Sequence, residues 1–154
     1  MTKTFKEIEP NLLLIDKVLE IEKQNKIPLW SKQNFIDSLQ SKDYFKMLVL
    51  DDLLIGFIIA RFASNQCEIL NIAVDISQRL KGYGSVLLEK LIDLCLKKNI
   101  NEIFLEVRES NSSAIKLYDK YRFNEVGFRR NYYSTDKKEK KEDAIIMALY
   151  LEKK

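Results

Sequence analysis

The sequence predicts a mixed α/β (α+β) fold, a single sheet with helices packed on its faces. Three observations lead there. Segments with strand alternation and segments with 3.6-residue periodicity follow one another in the order β, two helices, three strands, helix, strand, helix, two strands. A length of 154 residues is enough for one real core. Hydrophobic content of 46% and charged content of 32% are those of an ordinary globular chain. No repeat, linker or low-complexity stretch divides the chain, so residues 1–154 are expected to form one domain.

The elements follow in order. A first strand is expected near residues 3–8, ended by Glu9-Pro10. A helix over 11–24 places Leu12, Ile15, Val18, Leu19 and Glu22 at spacings near 3.6. Pro28-Leu29-Trp30 interrupts it, and Ser31 is placed to cap a second helix running to about Gln40. Residues 44–50, 53–62 and 66–74 read as a three-strand meander, with Asp51-Asp52 and Ser64-Asn65 as turns. The helix over 84–97 carries Leu87, Leu91 and Leu94 on one side with Leu88, Ile92 and Cys95 beside them. That wide apolar face suits packing on a sheet. Residues 101–107 form a mostly apolar, hence central, strand. Ser110 or Asn111 caps a short helix over 112–121, and strands 123–133 and 144–151 flank a charged loop.

Composition excludes several functions. No apolar run reaches the roughly 20 residues of a membrane span, and the N-terminus lacks the apolar region of a signal peptide, so a cytoplasmic location is expected. Two cysteines, Cys67 and Cys95, and no histidine give no disulfide framework or zinc site; both thiols are expected buried and reduced. Any general base must be Glu, Asp, Lys, Tyr, Cys or water held by them. Residues 1–128 balance 18 basic against 18 acidic side chains, whereas 129–154 hold eight against five and supply the whole net charge of +3. Arg129, Arg130 and Lys137-Lys138-Glu139-Lys140-Lys141 account for most of it, as a solvated loop or as a docking site for RNA or an anionic cofactor.

The segment Arg79-Leu80-Lys81-Gly82-Tyr83-Gly84-Ser85 lies between an apolar strand and an amphipathic helix. A glycine-punctuated turn there gathers backbone N–H groups at a helix N-terminus, a plausible pyrophosphate cradle. With Asn71-Ile72-Ala73-Val74-Asp75 before it, this segment resembles the signature of the GCN5-related N-acetyltransferase (GNAT) superfamily: Gln or Arg, two residues, Gly, one residue, then Gly or Ala. Leu105-Glu106-Val107-Arg108, Ser110-Asn111, Ala114-Ile115, Leu117-Tyr118, Arg129-Arg130-Asn131-Tyr132-Tyr133 and residues 142–149 further resemble its bacterial ribosomal-protein-alanine N-acetyltransferase (RimI-type) group. Pro28-Leu29-Trp30-Ser31 resembles that group's Pro-Trp-Ser segment with one residue inserted. The resemblance covers 25–150 and implies a GNAT-type, mostly antiparallel twisted sheet of about seven strands with about four helices.

It also implies roles. Acetyl-coenzyme A would be the cosubstrate, with no metal. Glu106 would be the general base and Tyr118 the acid for the departing thiolate. Read alone, Glu106 is a solvent-facing strand carboxylate beside Arg108, and Tyr118 an inward core residue sharing a helix face with Ile115 and Arg122. Ile72, Ala73 and Val74 would offer backbone groups to the pantetheine arm and one N–H to the oxyanion, on a strand that in this superfamily bulges and splays from its neighbour, though the residues alone show no bulge. Arg79, Leu80, Lys81, Gly82, Tyr83, Gly84 and Ser85 would hold the phosphates, and Asn111 would bond the cofactor while capping its helix. Trp30, Tyr132 and Tyr133 would wall the acceptor slot. Two departures stand out: Leu80 replaces a basic residue of the phosphate loop, and Arg122 stands where the family has glycine before Phe123, an uncomfortable place if φ is positive there.

The expected activity is direct acetyl transfer in a ternary complex, with no covalent enzyme intermediate, because neither cysteine has a histidine to activate it. The acceptor implied is a protein N-terminus, the N-terminal alanine of a small-subunit ribosomal protein, with no membrane, no direct nucleic-acid partner, and a monomer or weak dimer. The alternatives are a GNAT enzyme for another amine (other N-termini, lysine, small amines) and a non-catalytic acyl-coenzyme A-binding module. An RNA-binding domain rests only on the basic tail.

Overall fold

The structure is a computed structural model that describes residues 5–25, 30–135 and 140–152. Strand β1 spans Phe5–Ile8; a 3-10 turn at Leu12–Leu14 leads into helix α1, Ile15–Lys23, and α2 spans Lys32–Gln40. Strands β2 (Tyr44–Leu50), β3 (Leu53–Ala63) and β4 (Gln66–Val74) follow, then a 3-10 turn at Ile76–Gln78 and helix α3, Tyr83–Lys97. Strand β5 (Glu102–Arg108), helix α4 (Ser112–Lys120), β6 (Asn124–Ser134) and β7 (Lys141–Tyr150) complete the chain. Among the described residues this is the expected mixed fold, with seven strands and four helices. The strand order is β1-β2-β3-β4-β5-β7-β6, and β4–β5 is its parallel pair.

Local chemistry explains the elements. Asp51 and Asp52 both adopt left-handed φ, 49° and 65°, as a two-residue hairpin turn between β2 and β3 requires. The Ser31 hydroxyl accepts from the Asn34 N–H while Asn34 Oδ1 accepts from the Ser31 N–H, a reciprocal cap that starts α2. The long first helix of the sequence reading is shorter here, since Asn11 caps the 3-10 turn and α1 begins only at Ile15. Residues 3 and 4 of the expected first strand, Pro28 and Leu29, and 137–139 of the basic run lie outside the described residues. Lys141 is already in β7, so the charged connection is shorter than expected.

Two apolar cores sandwich the sheet. On one face Ile15, Val18 and Ile21 of α1 and Phe35 of α2 meet Phe45, Met47, Phe57 and Ile59. On the other, Leu87, Leu88, Leu91 and Cys95 of α3 and Tyr118 of α4 meet Leu48, Ile58, Ile69, Ile103 and Leu105. Cys67 and Cys95 are free and fully buried. Gly56 lies close against β4: an added Cβ would stand 3.0 Å from the Ala73 carbonyl. No helix among the described residues is long and apolar enough to cross a membrane.

Helices α2, α3 and α4 all end on a left-handed residue that is not glycine: Lys42, Asn99 and Arg122. At α4 the Phe123 N–H reaches the Tyr118 carbonyl (3.1 Å) and the Arg122 N–H reaches that of Asp119 (3.0 Å). The Tyr118 and Phe123 rings then close the motif at 5.6 Å. Arg122, at φ 67°, therefore carries the strain that its sequence position foreshadowed, and its side chain is exposed. Arg122→Gly is expected to stabilise the protein by about 0.5–1 kcal/mol, raising Tm by roughly 2–4 °C in a thermal melt. An unchanged or lower Tm would show that the arginine compensates elsewhere.

Candidate active site

Strands β4 and β5 part company halfway along. They pair in parallel from Gln66↔Glu102 to Ile69↔Leu105, and beyond that neither pairs with the other. Residues 71–74 keep their ladder to β3 alone, and 106–108 keep theirs to β7 alone. The divergence begins at a bulge. Ala60 faces Ile69 and Ile59 faces Asn71, leaving Leu70 as the extra residue of β4. The alternation slips there: Leu70 packs in the α1–α2 core and Asn71 also turns to α1, while Ile72 faces the α3–α4 side.

A cavity of about 590 Å³ fills the opening. One arm of the V contributes 69–72, the other Leu105, Glu106, Val107 and Arg108. Ser110, Asn111, Ala114 and Tyr118 line it from the start of α4, Tyr133, Thr135 and Glu142 from β6–β7, and Glu22 and Asn25 from α1. The cavity thus gathers Ile72, Glu106, Asn111, Tyr118 and Tyr133 of the residues singled out in the sequence. Ala73, Val74, residues 79–85, Trp30 and Tyr132 lie outside its lining. Trp30 packs on Phe35 with ring centroids 5.0 Å apart, and Tyr132 is half exposed with the Arg129 guanidinium 5.4 Å from its ring.

The glycine loop leads to α3 at one end of the opening. Gly82 has φ 88°, caps α3, and an added Cβ would meet nothing within 4 Å, so its outer side is open. The first intrahelical bond runs from Val86 N–H to the Gly82 carbonyl, and the amides of Gly84 and Ser85 precede it. Gly84 has another reason to be glycine, because a Cβ there would press on Leu117 of α4 at 3.3 Å. Arg79 folds back to donate to the Val74 carbonyl (3.0 Å), Lys81 reaches Gln78, and Leu80 is fully exposed with φ 62°. Open backbone at Gly82, a stretch at 72–74 with no strand beside it, and the cavity that Ile72 lines fit a long thioester cosubstrate with a pyrophosphate at one end. Gly82, Gly84 and Ser85 would meet its phosphates, and Ile72, Ala73 and Val74 its amide-bearing arm.

Charge and protonation complete the site. The Glu106 carboxylate accepts from Arg129 Nε at 2.8 Å. Glu68 of β4 is pushed up by burial and by the negative charge of Glu106, with Arg61 and Arg129 relieving part of it. Arg108 ties β5 to β7 through Glu142 (2.9 Å), donates to the Ser134 carbonyl and lies 4.5 Å from the Tyr133 ring. Burial pushes Glu142 up, but hydrogen bonds from Ser110 and Arg108 outweigh it and hold its carboxyl below the ordinary value. Tyr118 is 4% exposed, and burial pushes its hydroxyl well above the ordinary 10, so it carries a proton at neutral pH. Burial and the Glu106 charge push Tyr133 up to about 12. Asn111 caps α4 by accepting from the Ala114 N–H at 3.2 Å.

Sequence reasoning passed over Glu22 as a site residue. It is fully buried, accepting from Asn71 Nδ2 at 2.9 Å and Asn25 Nδ2 at 3.2 Å. The signal was present, since Glu22 continues the apolar stripe of α1, where a carboxylate has no reason to sit unless something inside binds it. Burial pushes its carboxyl up, and the two amide donors offset only part of that. The folded form therefore holds its proton to a higher pH than the unfolded form. Wild-type stability must fall, relative to Glu22→Gln, as pH rises from the unfolded value of 4.5 through the folded one, and then level off. Thermal melts of both proteins from pH 4 to 8 are expected to show the Tm difference growing in favour of Gln and then reaching a plateau. A flat difference would refute the assignment.

The chain matches known proteins over most of its length. The model of the acetyltransferase (GNAT) family matches residues 15–123. A [ribosomal protein bS18]-alanine N-acetyltransferase of Salmonella typhimurium is 41% identical over 121 residues, 78% of this chain and 80% of that protein. The crystal structure of the ribosomal-protein-S18-alanine N-acetyltransferase from Escherichia coli superposes with a TM-score of 0.85 at 35% identity, covering 97% of this chain and 94% of that one. An N-acetyltransferase of Thermoplasma acidophilum, solved with coenzyme A, shares the fold at a TM-score of 0.75 and 20% identity, over 96% and 99% of the two chains. A sheet opened at a bulge, a glycine turn at the head of α3 and these likenesses agree: the chain belongs to the GNAT family and is an N-acetyltransferase.

Proposed function

We propose that the chain, acting as a single domain in the cytoplasm, transfers acetyl from acetyl-coenzyme A to a protein N-terminal α-amino group, the N-terminal alanine of a small-subunit ribosomal protein. The relatives named for that activity support the acceptor. One arrangement supports the chemistry: Glu106 on one arm of the V, the free edge of β4 on the other, and Tyr118 beside them.

Acetyl-coenzyme A supplies the acetyl group as a thioester. An N-terminal amine has a pKa near 7.7–8.0 and enters mostly as ammonium, so it needs a base. Glu106, now paired with Arg129, exchanges one cation for another when the ammonium replaces the guanidinium, and the net charge of the cleft does not change. Glu106 takes the proton as nitrogen bonds to the acetyl carbon. A backbone N–H at 72–74 donates to the acetyl oxygen; as the C–S bond breaks Tyr118 gives its proton to sulfur and regains the second proton that the nitrogen sheds, leaving an amide, a free thiol and one proton on Glu106. Asn111 holds the mouth of the site, and Tyr133 with Arg108 forms the opposite wall.

The test is acetyl transfer to peptides with free N-terminal Ala, Ser or Met, or with blocked ends. Turnover on free Ala peptides is expected, with Glu106→Gln and Tyr118→Phe each lowering kcat by about a hundredfold or more at an unchanged Tm. Turnover confined to lysine or small amines would replace the acceptor. Coenzyme A binding without transfer to any amine would overturn the enzymatic reading.

A further inference from the structure

The segment 72–74 is an anomaly in the middle of a sheet, with β3 on one side and no strand on the other. Left to itself, a strand with one ladder can drift across the gap toward β5 and close it, because unpaired backbone groups gain by finding partners. Something must keep it apart.

The C-terminal end of α1, Glu22 and the cap residue Gln24, touches the chain on both sides of this segment. At the near end Glu22 Oε2 accepts from Asn71 Nδ2 at 2.9 Å. At the far end Gln24 Nε2 donates to Asp75 Oδ2 at 3.0 Å, and Gln24 Oε1 accepts from the Ile76 N–H at 2.8 Å. Two adjacent contacts of one helical turn thus bracket the stretch that lacks a neighbour. The near contact is costly. Glu22 is completely enclosed, and an aliphatic side chain would fill such a helix position at less desolvation cost. A carboxylate keeps the place because each of its oxygens accepts from a side-chain amide, one of them at the bulge itself.

We propose that the last turn of α1 is a brace that holds the free edge of β4 open for acetyl-coenzyme A, with Glu22 and Gln24 as its positioning residues. The inference rests on the reading that this edge receives the cosubstrate. Neither residue reacts. Glu22 fixes the bulge through Asn71, Gln24 fixes the strand end through Asp75 and Ile76, and the amides between them are held in line.

The experiment compares Glu22→Ala, Gln24→Ala and Glu22→Gln with wild type in two measurements. Calorimetry with coenzyme A reads the edge as a binding surface, and hydrogen exchange of the unliganded protein reads its order peptide by peptide. Both alanine variants are expected to weaken coenzyme A binding by about tenfold or more, since a small misplacement of binding groups is costly. Both are also expected to speed exchange across 70–76 by about tenfold while β2 and β7 keep wild-type protection. Glu22→Gln, whose amide oxygen still accepts from Asn71, is expected to bind coenzyme A within about threefold of wild type. Gln24 is only half-buried, so its alanine variant reads the brace even if Glu22→Ala fails to fold. Unchanged binding and exchange in Gln24→Ala would overturn the proposal, and so would faster exchange spread evenly over all strands. If wild type itself bound no coenzyme A, the cosubstrate reading would fall, while exchange in 70–76 would still decide whether the brace exists.

Discussion

Everything at the site depends on one broken ladder. A sheet interior satisfies the backbone of each strand from both sides, and β4 and β5 do this for four residue pairs and then stop. The extra residue at Leu70 stops them, by bending β4 and shifting the phase of its side chains. From that point one strand follows β3 and the other follows β7. Both a stretch of β4 with a strand on one side only and an inward-facing carboxylate, Glu106, are products of that single irregularity.

The two cores make the irregularity tolerable. Helix α3 packs Leu87, Leu88 and Leu91 into the same apolar core as Ile69, Ile103 and Leu105 of the paired half of β4 and β5. The opened half is bounded by polar structure: α1 with Glu22 and Asn25, the capped start of α4, and the Arg108–Glu142 pair. Apolar burial supplies the stability and polar contacts set the shape of the gap. Helix α4 serves both purposes, since Tyr118 closes a helix-ending motif against Phe123 and lines the cavity as well.

Strands and helices were legible in the sequence because their signals are local. Apolar runs mark β2 and β3, burial alternates along β4 and β5, and the capping residues Ser31 and Asn111 stand at the positions the structure uses. The glycine turn was legible as a motif, but not the division of labour within it. Gly82 is open to the outside, whereas Gly84 makes room for Leu117, a contact between helices remote in sequence. The resemblance implied a bulge in this strand but the residues did not show its place, since Leu70 is an ordinary strand residue and its role arises only from registration with Ile59 and Ala60. The Glu106–Arg129 pair joins β5 to β6 through strand order, which spacing does not encode. Arg122 was readable as strained because one residue's φ preference is a local property.

The strand order has a consequence for how the chain comes together. Strands β1 to β4 neighbour one another in sequence order, and β5 to β7 form a second group with β6 outermost. The chain is therefore two leaves, each continuous in sequence and each assembled from near neighbours, and the four rungs between β4 and β5 are the seam. Contacts that close short loops form at low entropic cost, and the seam can form only after α3 has crossed over. The site thus opens along the join that the chain has reason to complete last. A molecule lying between the leaves touches both products of assembly at once.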